Sequence, residues 1–195
     1  MIKNNQVIGT IIILSFAFIL LTGCHQNSTP KPRGYFRIDF PEKKYKTYNS
    51  DCPYTFDYPV YASIESDNLV NSEPCWINID FPKYNGKVHI SYKTVDNNIN
   101  LLLEDAYTLA YKHTVKADAI EEYLINKPDS KVYGILYDIE GNAASSVQFF
   151  LTDSTENFLR GALYFRTTID KDSLAPVIDF FRDDILYFID SFEWK

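Results

Sequence analysis

An apolar N-terminal segment that stops at a cysteine places the strongest constraint on how this chain folds. Lys3 provides a short positive start, and apolar residues then dominate from Val7 to Leu21. About 15 residues is fewer than the roughly 20 that a permanent membrane-spanning helix needs, and it suits an export signal. We therefore expect the segment to be removed and the folded part to begin after it.

The residues that close this segment form a motif with a specific chemical meaning. Leu21-Thr22-Gly23-Cys24 resembles the bacterial lipobox, in which small residues precede a cysteine that is acylated as the signal is cleaved. We predict that residues 1–23 are a lipoprotein signal peptide and that Cys24 is the lipidation site. An uncleaved anchor with a neighbouring cysteine is the alternative. Several acyl chains, at roughly 0.8 kcal/mol per buried CH₂, would make membrane attachment effectively permanent.

Residues 24–34 are predicted to be the lipidated cysteine and an extended tether. They lack apolar periodicity, and Pro30 and Pro32 favour an extended path of about 3 Å per residue. The tether also lacks an acidic cluster of the kind that resembles a surface-export signal in lipoproteins. We therefore expect a lipid-anchored protein at the outer membrane that faces the periplasm.

Two further cysteines, Cys52 and Cys75, belong to the exported part of the chain. Because the compartment is oxidising, a disulfide between them can persist, and closing such a loop contributes about 3 kcal/mol in the chain-entropy treatment. Two buried free thiols are the alternative. A redox-active pair is not indicated, because neither cysteine lies in a C-x-x-C motif.

The charge balance excludes one class of partner. The chain has 19 Lys and Arg residues against 26 Asp and Glu residues, a net charge of −7, without a basic block. Since phosphate neutralisation needs clustered basic residues, we expect no nucleic acid among its partners. The three histidines are scattered, so we predict no metal site and no cofactor.

Nothing divides the chain from Tyr35 onward, so residues 35–195 are predicted to form a single globular domain. Alternating apolar residues predict five strands in its first half. These are Phe36–Phe40, Tyr54–Tyr58, Val60–Glu65, Trp76–Phe81 and Lys87–Lys93.

The second half is predicted to mix helices and strands. Asn98 is a candidate cap for a helix from about Ile99 to Thr114, and Ala117–Asn126 is compatible with a short helix or a strand. Three further strands and a closing helix are predicted. They are Val132–Ile139, Ala143–Thr152, Phe158–Thr167 and a helix from Ser173 or Leu174 to about Ser191.

This order predicts an α+β fold, with a mainly antiparallel sheet and flanking helices in a sandwich. By analogy it is similar to the PsbP-like fold of small extracytoplasmic proteins, a likeness that says nothing about chemistry.

Residues suited to catalysis or binding are sparse. His113 beside Lys112 and Lys116 is either a small anion-binding patch or a cationic helix end that complements the helix dipole. Ser145 and Ser146 are not in a G-x-S-x-G elbow. We favour close packing of these serines over a site, and a serine hydrolase that uses one of them with His113 is the least favoured function.

Strand tyrosines and a tryptophan are candidates for a partner surface, although most are expected in the core. They are Tyr35, Tyr54, Tyr58, Tyr61, Trp76 and Tyr92. A periplasmic small-ligand or glycan-binding lipoprotein that uses exposed aromatic residues is therefore an alternative function, and a deep pocket lined by Trp76 or the tyrosines would favour it.

Several longer segments together resemble the gliding-motility lipoprotein family GldD of the Bacteroidetes. They are Thr29–Ile38, Trp76–Pro82, Ala110–Thr114, Val132–Gly134, Gly141–Phe150 and Phe158–Phe165. The resemblance covers essentially the whole chain after the signal. It implies a non-enzymatic lipoprotein of the outer membrane that supports the gliding apparatus and the allied type IX secretion machinery, with other gliding or secretion lipoproteins or membrane proteins as partners.

The family has no established catalytic residues to transfer to this chain. From the residues themselves we predict two contact points for a partner. One is the end of the tether at Arg33 and Tyr35, and the other is the Lys112-His113 pair.

Overall fold

The structure is a computed structural model that describes residues 37–68, 71–166 and 171–195. The predicted signal peptide, Cys24 and the tether with Arg33 and Tyr35 lie outside the described residues.

The described residues form ten strands and two α-helices. In chain order they are β1 (Tyr45–Tyr48), β2 (Tyr54–Pro59), β3 (Ser63–Ser66), β4 (Ile77–Phe81), β5 (Gly86–Thr94), α1 (Ile99–Tyr111), β6 (Ala117–Lys127), β7 (Val132–Gly141), β8 (Ser145–Thr152), β9 (Asn157–Phe165), α2 (Lys171–Ser191) and β10 (Glu193–Trp194). Single 3₁₀ turns lie at Pro82–Tyr84, Lys112–Val115 and Pro128–Ser130.

The strands form two sheets, and every strand pair in them is antiparallel. The large sheet has the order β3-β4-β5-β9-β8-β7-β6, and the small sheet has the order β1-β2-β10. Helix α1 packs on one face of the large sheet. Helix α2 packs on the other face and also contacts the small sheet. The predicted α+β fold, with a mainly antiparallel sheet and flanking helices, is therefore confirmed.

Helix α2 is amphipathic, and its apolar residues face both sheets. Phe181, Ile185 and Phe188 follow one another at steps of three and four residues, and all three are buried. The Phe181 ring centroid lies 4.2 Å from that of Phe81 in β4, and the Phe188 centroid lies 4.3 Å from that of Phe56 in β2. One helix therefore joins the two sheets into a common core.

Helix α1 buries a narrower apolar stripe against the opposite face of the large sheet. Leu102, Ala106 and Ala110 pack with Phe150 of β8 and Phe158 of β9. The predicted helix ends one turn early, because residues 112–115 tighten into a 3₁₀ turn. Asn98 occupies the N-cap position, but its side chain does not cap the helix.

The Oδ1 atom of Asn98 instead accepts a 2.8 Å hydrogen bond from the Asp96 N–H. The Asn98 side chain therefore orders the turn that precedes the helix.

The prediction of a first strand at Phe36–Phe40 is wrong for residues 37–40, which the structure describes. Residues 37–44 have no regular structure, and the first strand, β1, begins at Tyr45. The apolar side chains of this segment serve tertiary packing, because the Phe40 ring stacks on Phe180 of α2 with centroids 4.3 Å apart. Val60 and Tyr61 likewise form a turn, so β3 begins later than predicted.

The segment Ala117–Asn126, for which the sequence allowed a short helix or a strand, is a strand. It forms β6 at one edge of the large sheet and pairs with β7 through a register shift near Ala117. The strands predicted at Tyr54, Trp76, Lys87, Val132, Ala143 and Phe158 are all present with small changes in their ends.

A disulfide joins Cys52, just before β2, to Cys75, just before β4, and their Cα atoms lie 5.6 Å apart. The hydroxyl of Tyr54 donates a 2.6 Å hydrogen bond to the Cys75 carbonyl beside this bridge. The bridge therefore fixes the start of the small sheet against the start of β4.

A buried carboxylate in α2, that of Asp184, connects the N-terminal part of the domain to the helix. It is only 3% exposed. It accepts hydrogen bonds from the Tyr61 hydroxyl at 2.5 Å, the Tyr45 hydroxyl at 2.9 Å and the Lys43 ammonium at 3.2 Å. Burial and then the bond to Asp184 raise the pKa of both tyrosines, so they stay protonated donors at neutral pH.

Asp184→Asn is expected to lower the free energy of unfolding by about 2 kcal/mol or more, because it removes the charge that three buried or half-buried donors share. Asp183→Asn is the matched control. Its carboxylate is 67% exposed and lies 3.4 Å from the same Lys43 ammonium, so its loss should cost less than about 0.5 kcal/mol. Urea unfolding of both variants measures the difference, and equal losses would contradict the role given to Asp184.

Candidate functional site

A groove of about 390 Å³ lies on the α1 face of the large sheet, between α1 and β5. It exists because α1 packs over β7, β8 and β9, which leaves the same face of β5 uncovered beside the helix. Its volume falls within the range of about 300–1,000 Å³ that is usual for small-molecule sites.

One wall of the groove is aromatic and is held in a fixed orientation. The indole N–H of Trp76 donates a 2.7 Å hydrogen bond to the Tyr92 carbonyl. The Lys93 ammonium lies 5.6 Å from the centroid of the Trp76 ring and pairs with the Glu73 carboxylate at 2.6 Å. The opposite wall is formed by α1 and includes Leu109, which is partly exposed.

The floor of the groove carries an arginine. Arg160 of β9 is partly buried, and its Nη2 donates a 2.5 Å hydrogen bond to Oε1 of the buried Gln148 in β8. Tyr164, four residues further along β9 on the same face, lies near enough to Arg160 to influence its charge. Burial lowers the pKa of Arg160, and Tyr164 opposes that shift.

A histidine lies beside these two residues on β5. The His89 ring meets the Tyr164 ring edge-on, with centroids 5.6 Å apart. Burial lowers the pKa of His89, and the nearby positive charge of Lys87 lowers it further. His89 is therefore predominantly neutral at pH 7 and offers one donor and one acceptor to the groove.

The predicted Lys112-His113 pair lies on the 3₁₀ turn that follows α1. Lys112 is exposed and His113 is half-buried. Burial lowers the pKa of His113, and the charge of Arg160 lowers it further, so the imidazole is mostly neutral at pH 7. Lys112 therefore supplies the positive charge of this pair, and both interpretations of the patch, an anion-binding patch or a cationic helix end, stay open.

The two serines are placed for packing. Ser145 and Ser146 are both buried in β8. The Ser145 hydroxyl donates to the Val147 carbonyl at 3.3 Å, and Ser146 lines a separate cavity with Asp179 and Arg182 of α2. Within the described residues, neither serine hydrogen-bonds to His113, so the nucleophile and base of the hydrolase alternative are not assembled.

Most of the aromatic residues predicted as a partner surface have structural roles. Tyr54 is fully buried, the Tyr61 hydroxyl binds Asp184, and the Tyr92 hydroxyl donates to Asn157 at 2.7 Å. Trp76 differs from them, because its ring lines the groove. An open groove lined by Trp76 is therefore present, whereas the feature expected to favour the small-ligand alternative is a deep pocket.

Arg160 was not identified from the sequence, because it belongs to no recognisable motif. The available signal is a single charged residue within an otherwise apolar strand, Phe-Leu-Arg-Gly-Ala-Leu-Tyr-Phe over residues 158–165. Such a strand is covered on both faces, so a charge inside it needs a specific environment.

The described residues show neither a metal site nor a membrane-spanning helix. They contain no group of three or more His, Cys, Asp or Glu side chains that could hold a metal ion. Neither of their helices combines the length and the apolar character needed to cross a membrane.

The fold defines a small α+β domain, and the groove between its helix α1 and its large sheet has a polar floor. Residues 25–194 match the gliding motility lipoprotein GldD family, and the chain belongs to that family. The family membership predicted from the sequence is thus confirmed. A comparison with curated proteins gives no match.

Among solved structures, the chain is similar to the solution structure of the cyanobacterial PsbP protein CyanoP from Synechocystis sp. PCC 6803. The two share 11% sequence identity with a TM-score of 0.49, and the likeness covers 77% of this chain and 92% of that chain.

Proposed function

We propose that this protein is a non-catalytic lipoprotein, held by Cys24 at the periplasmic face of the outer membrane, that supports the assembly or stability of the gliding apparatus and the allied type IX secretion machinery. The family match carries this proposal. It begins at residue 25, directly after the proposed lipidated cysteine, and continues to residue 194.

The lipobox and the tether support an anchored position. Eleven residues, 24–34, at about 3 Å each allow the domain to stand roughly 30 Å or less from the membrane. Partners of a domain on so short a tether are expected within the same distance of that membrane. Envelope proteins and other lipoproteins meet that requirement.

A non-catalytic role is supported by how the polar side chains are used. The buried Asp184 carboxylate is occupied by three donors, and the Ser145 hydroxyl bonds to backbone. These groups hold the domain together, so they are not available as a nucleophile or as a general base.

Exposed apolar side chains near Lys112 support a protein-contact surface. Val115, on the same 3₁₀ turn, is 91% exposed. Next to this turn, Tyr107 and Tyr111 of α1 stack with centroids 4.2 Å apart. We propose that this surface, defined by the turn Lys112–Val115, contacts a protein of the gliding or secretion apparatus.

The anchor is tested by replacing Cys24. Cys24→Ala is expected to lose labelling by an alkyne analogue of palmitate and to move from the membrane fraction to the soluble or unprocessed fraction, because the acylated thiol is gone. Ser28→Ala, within the same tether, should keep both properties. Labelling of the Cys24→Ala protein at the normal level would contradict the proposal.

The partner role is tested by crosslinking cells and purifying the tagged full-length protein. Gliding or secretion components should co-purify, and Val115→Glu should reduce their recovery severalfold because it places a charge in the proposed contact surface. Lys83→Glu, an exposed change on the remote turn Pro82–Tyr84, is the control. Purification of the wild-type protein alone, or full recovery with Val115→Glu, would contradict the contact surface.

A further inference from the structure

Arg160 is unusual among the described arginines because it lacks a carboxylate partner. The other three each form an ion pair with one. They are Arg37 with Asp39, Arg166 with Asp80, and Arg182 with Asp138. In the part of the chain that the structure describes, Arg160 has only the neutral partners Gln148 and Tyr164, although it is the arginine at the floor of the groove.

Partial burial of Arg160 without an anion has an energetic cost. A guanidinium has five N–H donors and is expensive to bury without an anion. Gln148, which is 1% exposed, directs its oxygen to Arg160, and its own Nε2 has no hydrogen-bond partner among the described residues. A polar group left unsatisfied in a native structure calls for an explanation, and a ligand that completes its hydrogen bonds supplies one.

The geometry around Arg160 suits a ligand with one anionic group. The planar guanidinium matches the oxygens of a carboxylate or a phosphate. Beside it, Trp76 and Leu109 offer apolar surface, and the neutral His89 offers hydrogen bonds. Asp67 and Asp105 also line the groove, and their negative charges disfavour a polyanion there.

We propose that this groove binds a small molecule that carries one oxyanion group, a carboxylate or a phosphate, on an apolar or aromatic body, with Arg160 as the anion-binding residue. The anionic group lies against the guanidinium, and the apolar body lies between Trp76 and Leu109. The argument for this site does not use the proposed contact surface at Lys112–Val115, so either proposal can be wrong without the other.

The test is a ligand-observed NMR titration of the full-length protein in detergent with benzoate, phenyl phosphate and the neutral analogue benzyl alcohol. At least one anion should bind more tightly than benzyl alcohol. Binding of benzoate alone identifies a carboxylate ligand, binding of phenyl phosphate alone identifies a phosphate ligand, and binding of both supports the shared oxyanion chemistry. Failure of both anions to bind, or equal affinity for benzyl alcohol, would overturn the proposal.

Arg160→Met is expected to weaken anion binding about tenfold or more, because it removes the charge and keeps the length of the side chain. Arg37→Met, at an exposed position, should leave binding unchanged. If Arg160 serves binding and not stability, the Arg160→Met variant should unfold at a temperature equal to or above that of the wild type. Unchanged anion affinity in Arg160→Met would refute the assignment.

A second variant keeps the proposal testable if Arg160→Met does not fold. Leu109→Glu adds a negative charge to the α1 wall of the groove. Leu109 is partly exposed and Glu is a good helix former, so α1 should tolerate the substitution. It should weaken the binding of benzoate and phenyl phosphate severalfold and change that of benzyl alcohol much less. Equal effects on the anions and on the neutral analogue would count against an anion site.

Discussion

The packing of helix α2 between two sheets is the interaction on which the remaining structure depends. Phe181 contacts Phe81 and Phe165 of the large sheet, whereas Phe188 contacts Phe56 of the small sheet and Phe149 of the large one. A three-stranded sheet alone buries little apolar surface, so the small sheet gains its stability from this helix. The Asp184 carboxylate adds a polar connection at the same interface.

The two faces of the large sheet are therefore covered to different extents. The α2 face is filled with aromatic and aliphatic side chains and carries the disulfide at its margin, which suits a rigid support. The α1 face is only half covered, and its uncovered half holds the groove with Arg160 and Trp76. In the role proposed for this protein, one face maintains the fold and the other is free to meet ligands or partners.

Local patterns predicted the elements whose side chains alternate or repeat regularly, such as β5 and the apolar stripe of α2. They failed where tertiary packing decided the outcome. Phe40 lies in an irregular segment because it stacks on Phe180, and Asn98 bonds to Asp96 rather than to its helix. Arg160 and its groove depend on how far α1 extends across the sheet, and no short-range pattern contains that information.

Native-state hydrogen exchange of the full-length protein tests the central claim, that α2 makes both sheets a single cooperative unit. If α2 joins the two sheets, amides in β2, in α2 and in the central strands β8 and β9 should exchange with the same free energy of opening. Earlier exchange of β1 and β2, while α2 and the large sheet stay protected, would show a small sheet that opens by itself and would contradict the account.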